Sequence, residues 1–177
     1  MRVALLVTCL LDGFFPEVAE SAVRVLRRLG VQVDFPAAQT CCGQPAFTSG
    51  YHDEARPVAR HTLGVMERAL QEGADYVVLP SGSCAAMVRH YYPHLLAGAG
   101  QGEPAAGEVR RITARVMEFS EFLVRGLGVE DVGAEYPARA AYHASCHMSR
   151  GLGVREEPRR LLRRVRGLEL VDLPHGE

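Results

Sequence analysis

The chain carries five cysteines, at positions 9, 41, 42, 84 and 146. Two are adjacent, in Ala38-Gln39-Thr40-Cys41-Cys42-Gly43-Gln44-Pro45. Neighbouring thiols can be packing residues, since free cysteine is among the most buried side chains. They can be bonded to each other, which closes a strained ring and needs an oxidising compartment. Or they can be ligands, and a set of soft thiolates suits an iron–sulfur centre or zinc. The odd count of five argues against a disulfide framework. His143 and His147 flank Cys146 at i−3 and i+1, where imidazoles serve a second metal site or carry protons. The plainer assignment has His147 capping a helix and His143 packing in a sheet. Arg150 offers a guanidinium for a carboxylate or for a surface ion pair. Ser81-Gly82-Ser83 reads as an anion-binding turn, but Cys84 beside it favours a metal cluster over phosphate.

These side chains need a frame. Apolar, β-prone runs predict strands over Val3–Thr8, Val31–Phe35, Tyr76–Leu79, Ala138–His143 and Leu168–Leu173. Helical spacing predicts helices over Pro16–Leu29, Asp53–Gln71, Cys84–His94, Thr113–Leu127 and Glu156–Arg166. Strands alternating with helices imply an α/β fold of mostly parallel sheets flanked by helices. On this map each cysteine follows a strand and none lies in the middle of a helix or strand. Ligands bind at the carboxyl ends of parallel strands, so Cys9, Cys41, Cys42 and Cys84 are expected at one sheet edge. Residues 97–107 (AGAGQGEPAAG) read as an exposed loop between a first lobe, 1–100, and a second, 108–177.

Composition narrows the function classes. The chain has 177 residues, 47% of them hydrophobic, and a formal net charge of −1, which gives no electrostatic basis for nucleic-acid binding. No apolar run reaches the roughly 18 residues of a membrane helix. The apolar start MRVALLVTCLLDGFF meets Asp12 with no small-residue cleavage site after it, so it reads as a buried strand in a cytoplasmic protein with reduced thiols. All 20 basic residues are arginine, and the run Arg155–Arg166 offers either a face for an acidic partner or a solvated helix. No GxGxxG or P-loop supports nucleotide binding.

The chain also repeats itself. Six residues separate Arg2 from Cys9, and six separate Arg139 from Cys146. Gly30-Val-Gln-Val-Asp-Phe-Pro36 recurs as Gly167-Leu-Glu-Leu-Val-Asp-Leu-Pro174. From cysteine to proline the interval is 27 positions in one copy and 28 in the other. The vicinal pair comes five positions after Pro36, whereas Glu177 comes three after Pro174. The register predicts a second Cys-Cys-Gly just beyond Glu177 and a second lobe that is incomplete here.

Cys9, then 31 residues, then Cys41-Cys42-Gly43 and the later Cys84 resemble the CCG cysteine-rich domain. That domain occurs in heterodisulfide reductase and in iron–sulfur subunits of glycolate and glycerol-3-phosphate oxidation. The stretches TCLLDGFFPEV, TCCGQPAFTSGY, LPSGSCAAMVRHYYP and YHASCHMSRGLG resemble its short stand-alone form, which serves lactate utilisation. The resemblance implies two pseudo-repeated Rossmann-like lobes around iron–sulfur chemistry. It implies Cys9, Cys41, Cys42 and Cys84 as cofactor ligands at a first site, with Cys146 opening a second. The cofactor it implies is an iron–sulfur cluster of the 4Fe-4S kind, with zinc as the alternative in a non-redox binding or scaffold subunit. A thiol-based sensor using Cys41-Cys42 is a third possibility. The implied role is a redox subunit of a hydroxy-acid oxidising system, L-lactate to pyruvate. Its expected partners are other subunits of a lactate or glycolate oxidising complex, or further copies of itself. Many members carry CxxC where this chain has Ser81-Gly82-Ser83-Cys84, so a fifth first-site thiolate is a serine here.

Overall fold

The computed structural model describes residues 1–96 and 104–173, in two compact units that divide between Glu118 and Phe119. In chain order the first unit holds β1 (Arg2–Leu5), α1 (Cys9–Phe14), α2 (Pro16–Arg28), β2 (Gln32–Asp34), α3 (Gln44–Thr48) and α4 (His52–Gln71). It continues with β3 (Tyr76–Leu79), α5 (Gly82–Ala86), a π turn over Met87–Tyr91, α6 (Tyr92–Leu95), α7 (Ala106–Thr113) and β4 (Val116–Glu118). The four strands form one sheet in the order β2-β1-β3-β4, with every pairing parallel. Parallel neighbours require crossovers, and the helices between the strands supply them. The central strands are apolar along their length because helices cover both faces: Val3, Ala4, Leu5, Val77, Val78 and Leu79 are buried. α4 buries Ala55, Ala59, Thr62, Leu63 and Met66 at helical spacing.

The second unit begins with α8 (Phe119–Glu121) and a π turn over Phe122–Gly126. It continues through β5 (Glu135–Ala141), a π turn over His147–Leu152, α9 (Glu156–Arg163) and β6 (Arg166–Val171). β5 and β6 pair in parallel. The repeat read from the sequence recurs in three dimensions. Arg2 lies opposite Gln32, and Arg139 opposite Glu169, so both pairings join residues 30 positions apart. Each arginine reaches an acid on the adjoining strand: Arg2 Nε to Asp34 at 2.6 Å, and Arg139 Nε to Glu169 at 3.4 Å. Gly30, just before β2, and Gly167, the second residue of β6, both have φ of 77°.

Several elements differ from their predicted spans. Residues 113–127 form no single helix. α7 ends at Thr113, and the three-residue β4 completes the first sheet beside β3. Val116 and Glu118 are buried there, and a strand this short carries too few residues for its period to show. α7 and β4 therefore pack with the first sheet rather than with the later residues. Ala106 and Gly107, expected in a loop, open α7; residues 97–103 of that loop, like Pro174 to Glu177, lie outside the described residues. α1 and α3 are too short to have shown a helical period at all. β5 and β6 each start before and end before their expected spans, which leaves His143 exposed beyond the end of β5. No helix of the described residues is long and apolar enough to cross a membrane.

The second unit is tied by Arg125, which reaches Glu157 at 2.7 Å, Glu121 at 3.3 Å and the Gly153 carbonyl at 2.9 Å. Burial works to raise the Glu157 carboxyl, but the backbone N–H groups and Arg125 outweigh it and hold the carboxyl below its ordinary value. A depressed carboxyl stabilises the fold above its unfolded-state pKa, and that contribution is lost as pH falls through the folded value. Arg125→Ala removes the cation and lets the Glu157 pKa rise. Acid unfolding of the second unit is then expected at a higher pH than in the native chain. Hydrogen exchange of peptides from 119–173, followed over a pH series, measures this.

Candidate functional site

Three loops leave the carboxyl ends of adjoining parallel strands and bring four of the five cysteines together. β1 leads into Cys9, the first residue of α1. β2 leads into Cys41-Cys42, just before Gly43, which precedes α3. β3 leads into Cys84, which lies within α5 rather than ahead of it, because Gly82 already begins the helix. The four sulfurs sort into two pairs. Cys9 Sγ lies 3.6 Å from Cys41 Sγ, at the exposed side. Cys42 and Cys84 are both buried, and each thiol shifts the protonation of the other. Charge on Cys84 also reaches Cys9, and charge on Cys41 reaches Cys42, so the pairs form one electrostatic group.

That grouping sets the protonation. The bond to Cys84 and burial push the Cys42 thiol up, so Cys42 keeps its proton and donates it. The hydrogen bond from Cys42 brings Cys84 down to about 7 against the opposing effect of burial, helped by the Ser81 and Ser83 hydroxyls. Burial, the bond to Cys41 and the charges of Cys41 and Cys84 raise Cys9. Like charges this close cannot all ionise unaided. A bound metal centre reverses the balance, because a coordinating thiol is deprotonated outright.

The vicinal pair is held by groups distant in sequence. Thr62 Oγ1, on α4, donates to the Cys41 carbonyl at 3.0 Å. Tyr92 Oη, on α6, donates to the Cys42 carbonyl at 2.8 Å. Gly43 N donates to Cys41 Sγ at 3.4 Å. Gln39 docks the loop on β1, accepting from Val7 N at 2.6 Å and donating to the Leu5 carbonyl at 3.4 Å. An open cleft of about 340 Å³ lies against Cys9 and Cys41 and is lined also by Asp12, Phe35, Gln39 and Thr40.

Ser81 accepts from Cys84 N at 3.5 Å and so caps α5. Cys146 is exposed in the second unit, at the start of the segment entering the π turn. Ser145 rather than His147 caps that segment, accepting from Met148 N at 3.3 Å. Arg159, Arg160, Arg163 and Arg166 each pair with a carboxylate of their own unit. Thr62 and Gln39 carried no signal in the sequence. Tyr92 falls near the end of the predicted helix Cys84–His94, with nothing there to mark the bond it makes.

A family model described as a cysteine-rich domain, CCG, matches residues 3–89 and 140–177. This chain belongs to the CCG cysteine-rich domain family. The first stretch matching the CCG model holds all four clustered thiols, and the second opens in β5 and holds Cys146. The chain is similar to proteins named Lactate utilization protein A. It is 53% identical to that of Geobacillus kaustophilus and 52% identical to that of Geobacillus thermodenitrificans, each over 176 residues, 99% of this chain and 70% of the relative. Lactate utilization protein A 2 of Bacillus cereus is 43% identical over 175 residues, 99% of this chain and 69% of the relative.

Proposed function

We propose that this chain is the iron–sulfur redox subunit of a system that oxidises a hydroxy acid, L-lactate to pyruvate, and that it passes electrons to and from partner subunits. The observation carrying this reading is the electrostatic group made of four cysteine sulfurs at one edge of a parallel sheet. Its donors are all soft, which suits iron–sulfur ligation. Zinc in a structural site needs four ligands round a single ion. Among the described residues no three or more His, Cys, Asp or Glu side chains are arranged to hold one metal ion, and the preference for a cluster rests on the four donors all being thiols. Cys9, Cys41, Cys42 and Cys84 are the ligands in this proposal, and Cys146 opens a second site in the register of Cys9. When bound, such a cluster supplies one-electron transfer. The names of the relatives supply the link to lactate.

The chain's own part is to present the thiols, shield the Cys42–Cys84 side from water and leave the Cys9–Cys41 side open. Oxidation of lactate to pyruvate releases two electrons and two protons. The sequence carries no nucleotide-binding fingerprint for taking a hydride, so a partner holds the cofactor that does. Anaerobic loading with iron and sulfide is expected to give a brown protein with about four iron atoms per chain and absorption near ~400 nm that bleaches on reduction. The loaded pure chain with an artificial electron acceptor is expected not to oxidise lactate. A colourless protein holding about one zinc overturns the cluster, and lactate turnover by the pure chain overturns the need for partners.

A further inference from the structure

Cys41 and Cys42 are adjacent, yet their sulfurs lie in different surroundings: Cys41 Sγ is 3.6 Å from Cys9 Sγ at the exposed side, while Cys42 is buried, as Cys84 is. Such a split requires the peptide units of the pair to be held in one orientation. Both carbonyls are held by a buried hydroxyl, Thr62 on the Cys41 carbonyl and Tyr92 on the Cys42 carbonyl. Thr62 is 1% exposed and Tyr92 0%. A buried hydroxyl is costly unless bonded, so these contacts are firmly specified. They come from well down the chain, 21 and 50 residues after the carbonyls they hold. Thr62 also approaches Thr40 Oγ1 at 3.5 Å, next to the pair. Tyr92 directly follows the π turn over Met87–Tyr91, whose wider winding advances the register of the residue after it. The chain thus sets aside one hydroxyl for each carbonyl of the vicinal pair, while Gly43 closes the turn.

We infer that Thr62 and Tyr92 are positioning residues that fix the Cys41-Cys42 peptides so that the two thiols are divided between Cys9 and Cys84. The inference rests on the cofactor reading above only for its second readout. Partners that orient metal ligands typically account for 10–100-fold in metal affinity.

The test uses the full chain with Tyr92→Phe, Thr62→Val and the conservative Thr62→Ser. In the metal-free protein, site-resolved alkylation by mass spectrometry is expected to label Cys42 about tenfold faster in Tyr92→Phe, as loss of one hydrogen bond from a locally closed state implies. In Thr62→Val, Cys41 is expected to gain reactivity, and Thr62→Ser is expected to restore the native rate. In the iron-loaded protein, loss of iron to a chelator is expected to be about tenfold faster in Tyr92→Phe and Thr62→Val, and native in Thr62→Ser. Native labelling and native iron loss in both hydroxyl-deleting variants overturn the inference. So does a rise shared equally by all five cysteines together with a lower thermal midpoint, which marks general loosening. If the native chain takes up no iron but the site-resolved labelling still shifts, the cluster reading fails and the positioning role stands.

Discussion

A Cys42→Ser chain is expected to retain less than about a tenth of the native iron after anaerobic loading, a larger loss than removing an outer-shell partner brings. Cys42 sits in the buried pair and donates its proton to Cys84. Serine is close in size and its hydroxyl can still donate to Cys84, so the fold should survive while the soft donor is lost. Circular dichroism close to native, with iron and sulfide content collapsed, is the expected combination. Cys146→Ser, in the other unit, is expected to leave first-unit iron in place. Full iron content in Cys42→Ser would remove Cys42 from the ligand set and with it the reason for a vicinal pair.

Gly43→Ala should be the most damaging change near the site that removes no sulfur. Gly43 has φ of 80° and ψ of 0°, a left-handed conformation that costs an L-residue about 1–2 kcal/mol. Space is also short, since a Cβ there would meet the Ala55 carbonyl oxygen at 3.3 Å and Val58 Cγ1 at 3.6 Å. Those atoms belong to α4, which also carries Thr62. A push on α4 is therefore a push on the contact to the Cys41 carbonyl. The thermal midpoint of the first unit is expected to fall by roughly 3–8 °C, with iron retention reduced as well. Gly43→Asn separates the two causes: asparagine tolerates the left-handed region but still places a Cβ against Ala55. A native midpoint in Gly43→Ala would show that neither the turn nor the space matters.

The thiol site was legible in the sequence because its members share one topological position. Each follows a strand, and the carboxyl ends of parallel strands lie along one edge whatever the loops contain. The repeat was legible for the same reason. Arg2 and Arg139, Gly30 and Gly167 mark fixed points of the same strand pairing, and the register of 30 positions preserves them. What escaped was of two kinds. Short elements such as β4, α1 and α3 carry too few residues for a period of 2 or 3.6 to stand out. Contacts such as Thr62 and Tyr92 to the vicinal carbonyls depend on which way α4 and α6 pack, and nothing in their own neighbourhoods records a bond to a backbone oxygen 21 or 50 residues earlier.

The strand order β2-β1-β3-β4 has a consequence for how the protein is made. β1 pairs on one side with β2 and on the other with β3. A nascent chain leaving the ribosome can bring Cys9 to Cys41 once β1 and β2 have paired. Cys42 meets Cys84 only after a further 42 residues have been translated, which at ordinary elongation rates takes roughly 2–8 s. During that interval the growing chain carries its outer thiol pair without the inner one. On the ligand set proposed above, metal delivered then would meet half a binding set, and metal delivered after release would meet all of it. The four thiols of that set are complete only once the first unit has been translated through Cys84.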